Sequence, residues 1–221
     1  MKQIQGKWVY ETLPELINPQ HTAVLVVDVQ NDFCHPEGHF TRNGKDVSAI
    51  RKTLPTMVSF VCEAQAMGLR MVFIRQNTLP GGLSDSPAWL RFKTRDGKTP
   101  DYTLEGSWGA QLVDGLNVRT QDLVVDKFRP DAFHKTPLDG LLRASGVETV
   151  VILGTISEGC VESTVRSASY HDYYVVVVRD AVASPNPLLH EGSLRLFQAR
   201  YPLHDSSDIL GVWREAVKTE T

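Results

Sequence analysis

Short apolar runs recur along the chain at 23–29, 69–74, 123–125, 149–153 and 173–178, each rich in valine and isoleucine. Runs of this length and composition suit strands buried on both faces of a parallel sheet. Helical patterns lie between them. Over 48–67, Ile50, Leu54, Met57, Val58 and Val61 fall on one face, and Pro55 marks either a kink in that helix or its true start. Thr136 as N-cap, Pro137 at the first helical position and Asp139 at N3 open a further helix, which Gly146 ends. After Cys160, Val161, Val165 and Ala168 recur at helical spacing. The alternation predicts a three-layer α/β/α sandwich around a mainly parallel central sheet, Rossmann-like in topology, with right-handed crossovers. One domain spanning 1–221 is expected, with residues 1–20 and the loop 78–109 peripheral. That loop carries Gly81-Gly82, Pro87 and Pro100, and loops of its length in compact domains often serve as lids or partner contacts.

Composition narrows the function classes. The 221 residues are 42% hydrophobic and 22% charged, enough for one sizeable core. A net charge of −3 and an isoelectric point near 6.2 argue against electrostatic nucleic-acid binding and against a polybasic membrane anchor. No apolar run approaches the roughly 18–20 residues that span a bilayer, and MKQIQGKWVYETLPEL lacks the apolar core of a signal peptide. Three cysteines, Cys34, Cys62 and Cys160, form an odd set without paired spacing, which favours a reducing cytoplasmic setting.

The candidate chemistry lies where the runs end. In open α/β sheets, ligands bind beyond the carboxyl ends of the strands. Asp28 closes the first run, Lys127 follows the third and Cys160 follows the fourth. Taken singly, Asp28 caps a turn, Lys127 is a solvated lysine and Cys160 is a small helix residue. Together they place an acid, an amine and a thiol at equivalent ends of neighbouring strands. A cysteine opening a helix meets free N–H groups and the positive dipole end, which predicts a stabilised thiolate. A carboxylate in reach of the thiol can take its proton and return it to a leaving amine, and an ammonium between them keeps both anions favourable. The turn over 154–159 can aim backbone N–H groups at a tetrahedral oxyanion.

The segments DVQNDF, DKFRPDAFHKTPLDGLL and GTISEGCVESTVRSA, in this order, resemble the isochorismatase-like cysteine hydrolase superfamily over about residues 20–210. The resemblance implies an Asp28, Lys127, Cys160 triad, and no cofactor is expected. It also implies a cis peptide joining Thr155 to Ile156, an oxyanion hole built from the Ile156 and Cys160 amides, and a homodimer or homotetramer. Two positions depart from the usual pattern. The turn before the cysteine reads Ser157-Glu158-Gly159, and Asp131 stands where many relatives carry serine.

Substrate residues follow less directly. Relatives that hydrolyse nicotinamide carry an Asp-x-His metal motif after the second strand, whereas this chain has Gln76 and Asn77 there. His35 and His39 with Cys34 lack a convincing fourth ligand, so no metal is expected. The chain looks most like ureidoacrylate and N-carbamoyl amidohydrolases, which implies a small linear amide or ureido substrate attacked by Cys160 to form a thioester. Gln76 and Asn77 either hydrogen-bond a planar amide or satisfy a strand end. Phe33, Trp108 and Phe133 are candidate pocket walls, and Arg129, ahead of Arg75 and Lys93, is the candidate for a substrate carboxylate. Two alternatives stand beside this reading: isochorismatase-type vinyl-ether hydrolysis, against which Cys160 argues, and a non-catalytic ligand-binding member of the fold.

Overall fold

Successive residues of a strand face opposite sides of a sheet, so a strand apolar throughout needs cover on both sides. The computed structural model, which describes residues 1–220, provides that cover. A small exposed ribbon, β1 (Lys2–Ile4) with β2 (Lys7–Val9), and a short helix, α1 (Leu13–Leu16), precede the sheet. The chain then runs through β3 (Thr22–Val27), α2 (Asn31–Cys34), α3 (His39–Arg42), α4 (Ser48–Ala66), β4 (Arg70–Gln76), α5 (Pro87–Lys93) and β5 (Leu123–Lys127). It continues through α6 (Leu138–Ala144), β6 (Thr149–Thr155), α7 (Glu162–Tyr170), β7 (Tyr174–Ala183), α8 (Pro187–Arg200), β8 (Leu203–His204) and α9 (Ser206–Glu220).

Six strands pair in the order β5-β4-β3-β6-β7-β8, every pair parallel. Val24 and Val26 of β3 face a core with Ile50, Met57, Phe60 and Val61 of α4 and Trp213 of α9. Ala23, Leu25 and Val27 face the other way, toward Leu138 and Leu142 of α6, Val165 and Ala168 of α7, and Phe197 of α8. Trp213 is fully buried, and its indole N–H is satisfied by the Ile17 carbonyl at 2.7 Å. Strand order reverses at β3, whose neighbours are β4 on one side and β6 on the other. The crevice at such a switch point is where open α/β sheets bind ligands.

The element boundaries depart from the sequence reading in instructive ways. Helix α4 starts at Ser48 and continues through Pro55. The missing proline N–H orphans the carbonyl of Arg51, an exposed residue that water can serve. Helix α6 begins at Leu138 rather than Pro137, and the Thr136 hydroxyl both accepts from the Leu138 amide (3.3 Å) and donates to the Ala132 carbonyl (2.5 Å). Strands β4, β5 and β6 extend past their apolar runs to end on Gln76, Lys127 and Thr155, all buried. The segment 78–109 holds α5 and, instead of lying at the periphery, lines the main cavity with Trp89, Phe92, Lys93 and Tyr102.

One glycine is required by close approach. Gly154 has φ +125°, and a Cβ there would stand 2.0 Å from the Val27 carbonyl oxygen on β3. Gly154→Ala is therefore expected to cost about 3 kcal/mol or more, read as a lowered urea midpoint; a midpoint matching the parent would show that β3 and β6 do not need this contact.

Candidate active site

A lysine with no exposed surface needs a counter-charge, and Lys127 at the end of β5 has one. Its Nζ donates to Asp28 Oδ2 at 2.7 Å and to Gln76 Oε1 at 3.1 Å. Asp28 is itself 1% exposed and leaves β3 in the left-handed region, φ +51°. That turn is pinned from two sides: the Asp28 amide donates to the Ile74 carbonyl (3.0 Å), and the Thr155 hydroxyl donates to the Asp28 carbonyl (2.7 Å). The second carboxylate oxygen, Oδ1, meets no N–H or O–H donor among the described residues. The Cys160 thiol interacts with the side chains of both Asp28 and Lys127.

Cys160 arrives from β6 across a cis peptide between Thr155 and Ile156. The chain then makes a wide turn over Ser157–Val161, in which the Gly159 and Val161 amides both donate to the Ile156 carbonyl (3.0 and 3.3 Å). Regular helix begins only at Glu162. Cys160 thus sits inside the wide turn and not at the mouth of an α-helix. Its thiol is pushed well above the ordinary range, first by burial and then by the Asp28 charge, while Lys127 pulls the other way. The expected stabilised thiolate is corrected accordingly. One ammonium beside two acidic groups accommodates a single negative charge well, which opposes ionisation of the thiol. Lys127 is held above its ordinary value: burial alone would lower it, but Asp28 and then Cys160 overcome that effect. Cys34 beneath Thr155 is a contrast, a thiol pushed up to about 12 chiefly by burial.

Asp28, Gln76, Thr155 and Cys160, but not Lys127, line a cavity of about 180 Å³ together with Phe33, Phe40, Trp89, Phe92 and Tyr102 and with Lys45, Arg95 and Lys98. Of the residues anticipated as pocket walls, Phe33 lies here, while Phe133 stacks on His171 away from the cavity. Trp108 is 43% exposed and meets the His35 ring edge-on. Gln76 reaches the cavity, but its Oε1 is committed to Lys127 and its amide nitrogen donates to the Asn77 carbonyl at 3.1 Å. Asn77 lines a separate polar depression with Arg75 and Asp126. Arg129 does not line the main cavity; its guanidinium lies 5.1 Å from the Trp89 ring and donates to the Ser84 carbonyl at 3.0 Å, bracing that wall from behind. Lys93 is neutralised by Asp85 at 2.9 Å, both side chains buried.

The sequence reading passed over two residues of DVQNDF that build the site. The Gln30 side chain accepts from the Gln76 amide (2.9 Å) and donates to the Gln76 and Ala110 carbonyls (3.0 and 2.7 Å). Asp32 accepts from the His39 amide (2.9 Å), the Thr103 amide (2.6 Å) and Arg42 (3.2 Å), joining two cavity-wall loops. The signal was a polar run directly after a fully apolar strand, where buried polar groups must find partners.

The isochorismatase domain model matches residues 22–202. Ureidoacrylate amidohydrolase RutB from Methylobacterium radiotolerans is 34% identical over 192 residues, covering 82% of this chain and 74% of that protein. Its namesake from an Enterobacter species is 33% identical, covering 79% and 81%. Among solved structures, a cysteine hydrolase from Pseudomonas syringae superposes with a TM-score of 0.76 at 24% identity over 91% of this chain and 96% of that one, a likeness of fold. N-carbamoylsarcosine amidase from Thermoplasma acidophilum gives 0.66 at 26% identity over 84% and 96%.

The charges around Cys160 have opposite effects on its ionisation, which sets a test by sign. Asp28→Asn removes the anion that raises the thiol, so the pH midpoint for iodoacetamide alkylation of Cys160 moves down. Lys127→Met removes the cation that lowers it, so the midpoint moves up. Peptide mass spectrometry separates Cys160 from the exposed Cys62; shifts in the same direction for both variants would disprove the assignment.

Proposed function

The chain belongs to the isochorismatase family, and from that premise we infer a hydrolase of non-peptide C–N bonds that cleaves a small linear amide or ureido compound through a Cys160 thioester. The observation that carries this reading is that Asp28 and Cys160 line one cavity while the fully buried Lys127 donates to Asp28 Oδ2 and interacts with the Cys160 thiol. The RutB and N-carbamoylsarcosine amidase likenesses support the bond class.

The reaction follows from the charges. Asp28 Oδ1, lacking another donor, takes the Cys160 proton as Sγ adds to the substrate carbonyl carbon. The carbonyl oxygen becomes an oxyanion, which the Ile156 and Cys160 amides face. Each such donor is typically worth roughly 3–4 kcal/mol in the transition state. Asp28 passes its proton to the nitrogen, the C–N bond breaks, and ammonia or an amine leaves the thioester. Water then gives a proton to Asp28 and its oxygen to the acyl carbon, and the departing Sγ recovers the proton. Lys127 stays charged throughout and stabilises whichever of Asp28 and Cys160 bears the negative charge. Gln76 positions Lys127. Phe33 lies against the bound substrate.

The reading extends to a homodimeric or homotetrameric protein of the cytoplasm. Tyr170 on α7 and Leu188 on α8, 75% and 85% exposed, offer apolar surface for assembly. Among the described residues no helix is long and apolar enough to cross a membrane. Light scattering on the purified protein is expected to give two or four times the 24.6 kDa chain mass; a monomer would remove this part of the reading.

Cys160→Ala is expected to lower ammonia release from the best linear amide or ureide by about a thousandfold or more, and quenched wild-type protein to carry an acyl mass on the Cys160 peptide. Undiminished turnover by Cys160→Ala would refute the thioester route and favour vinyl-ether chemistry or another mechanism.

A further inference from the structure

The chain around Cys160 is fastened to the segment after β7 by three side-chain bonds in succession. The Ser157 hydroxyl lies 2.7 Å from Nδ1 of His190 on α8, the Ser184 hydroxyl donates to Glu158 Oε1 at 2.8 Å, and the Ser193 hydroxyl donates to Glu162 Oε2 at 2.8 Å. The first bond is the one that bears on the chemistry. Ser157 stands between Ile156 and Cys160, whose amides face the oxyanion in the proposed reaction, and it is fully buried. Its hydroxyl has no other hydrogen-bond partner among the described residues. If Nδ1–H donated to Ser157 Oγ, the serine hydrogen would be a buried donor without an acceptor, which is costly. With Nδ1 as acceptor, only a lone pair goes unused. The bond therefore runs from the Ser157 hydroxyl to Nδ1, and the ring proton of neutral His190 sits on Nε2. Glu158 from the turn and Glu191 on α8 both favour the charged ring, but burial outweighs them and holds His190 below its ordinary value. Glu162, one turn further along, is engaged by Arg166 as well as Ser193.

We propose that neutral His190 is a positioning residue of this site: by accepting from Ser157 it fixes the turn that carries the Ile156 and Cys160 amides, and protonation of its ring releases that hold. This deepens the amidohydrolase reading and rests on it for the role of the turn. His190 lies outside the cavity lining and acts through Ser157. An imidazolium carries N–H on both nitrogens and has no acceptor left. Ser157 then faces a donor, its own hydrogen is left without an acceptor, and the turn loosens. The sign follows from the lowered proton affinity of the ring. His190 is neutral at pH 7 and charges as the pH falls through its lowered value, so turnover is lost on the acid side. The loss falls on kcat more than on KM, because the two amides bear on the oxyanion of the transition state more than on the ground-state carbonyl.

The test joins one readout of the turn to one of the chemistry. Nitrogen-15 NMR of the His190 ring is expected to show the Nε2–H tautomer at pH 7 and a midpoint below the ordinary histidine value of about 6.5. Hydrogen exchange of the 156–162 peptide at pH 7 should be faster in His190→Leu and in Ser157→Ala, and return toward wild type in His190→Asn, whose amide oxygen takes the place of Nδ1. For ammonia release from n-propylurea, wild-type kcat should fall through the His190 midpoint. His190→Leu should lower kcat at pH 7 about tenfold or more with a smaller change in KM. His190→Asn should recover most of that loss and lack the acid inflection. Ser157→Ala should match His190→Leu, and the double variant should be no worse than either single one. The expected exchange pattern without ammonia release from any linear amide or ureide would uphold the hold of His190 on the turn and overturn the hydrolase reading. An Nδ1–H tautomer, exchange unchanged in His190→Leu, an acid inflection shared by wild type and His190→Asn, or additive losses in the double variant would each overturn the role of His190.

Discussion

The ion pair between Lys127 and Asp28 is the constraint around which the carboxyl edge of the sheet is organised. Burying an ammonium costs several kcal/mol unless excellent geometry offsets it, and Lys127 has no exposed surface. The offset requires Asp28 to turn back from β3 in a left-handed conformation, Gln76 to end β4 with its carbonyl oxygen toward the amine, and β5 to carry a lysine into the interior. Gln76 is held in turn by Gln30, and the Asp28 turn by Thr155 at the end of β6. Three adjacent strands and the strand after the switch point are thus tied to one charge. A charged pair that is also hydrogen-bonded fixes both position and protonation, which a hydrophobic pair cannot do.

That constraint reaches the chemistry through electroneutrality. With one cation beside two ionisable acids, only one negative charge is well accommodated. Burial first, and the Asp28 charge second, raise the Cys160 thiol. In the proposed reaction the same restriction is useful, because the proton removed from sulfur has one place to go and is still there when the leaving nitrogen needs it. The cavity above repeats the theme in reverse. Asp32, buried, gathers the His39 and Thr103 amides and Arg42, and so joins the loops that raise the aromatic walls.

How far the sequence was legible depends on the range of the force concerned. The valine- and isoleucine-rich runs located the five principal strands because burial on both faces leaves little room for polar residues. The strand ends were misread by one to several residues, since Gln76, Lys127 and Thr155 are polar and their burial depends on partners far along the chain. Asp28, Lys127 and Cys160 could be singled out because each follows an apolar run, and a motif resemblance reinforced the choice. Residues chosen by type alone fared differently. Phe133 and Trp108 are aromatic and Arg129 is cationic, but nothing local in the chain says which face of a loop each will present.

The amino-acid order by itself determined the layered α/β architecture, the family and the set of reactive groups that end the strands, because hydrophobic periodicity and short motifs are local properties. Only the tertiary structure decided the surroundings that raise the Cys160 thiol, the commitment of Gln76 to Lys127 and the place of Lys45 in the cavity lining. Those depend on distances between segments far apart in the chain, 99 residues for Asp28 and Lys127 and 127 for Asp28 and Thr155, and on the loss of water that makes an unpaired charge costly. Electrostatic energies vary with both quantities, and neither exists until the chain has folded.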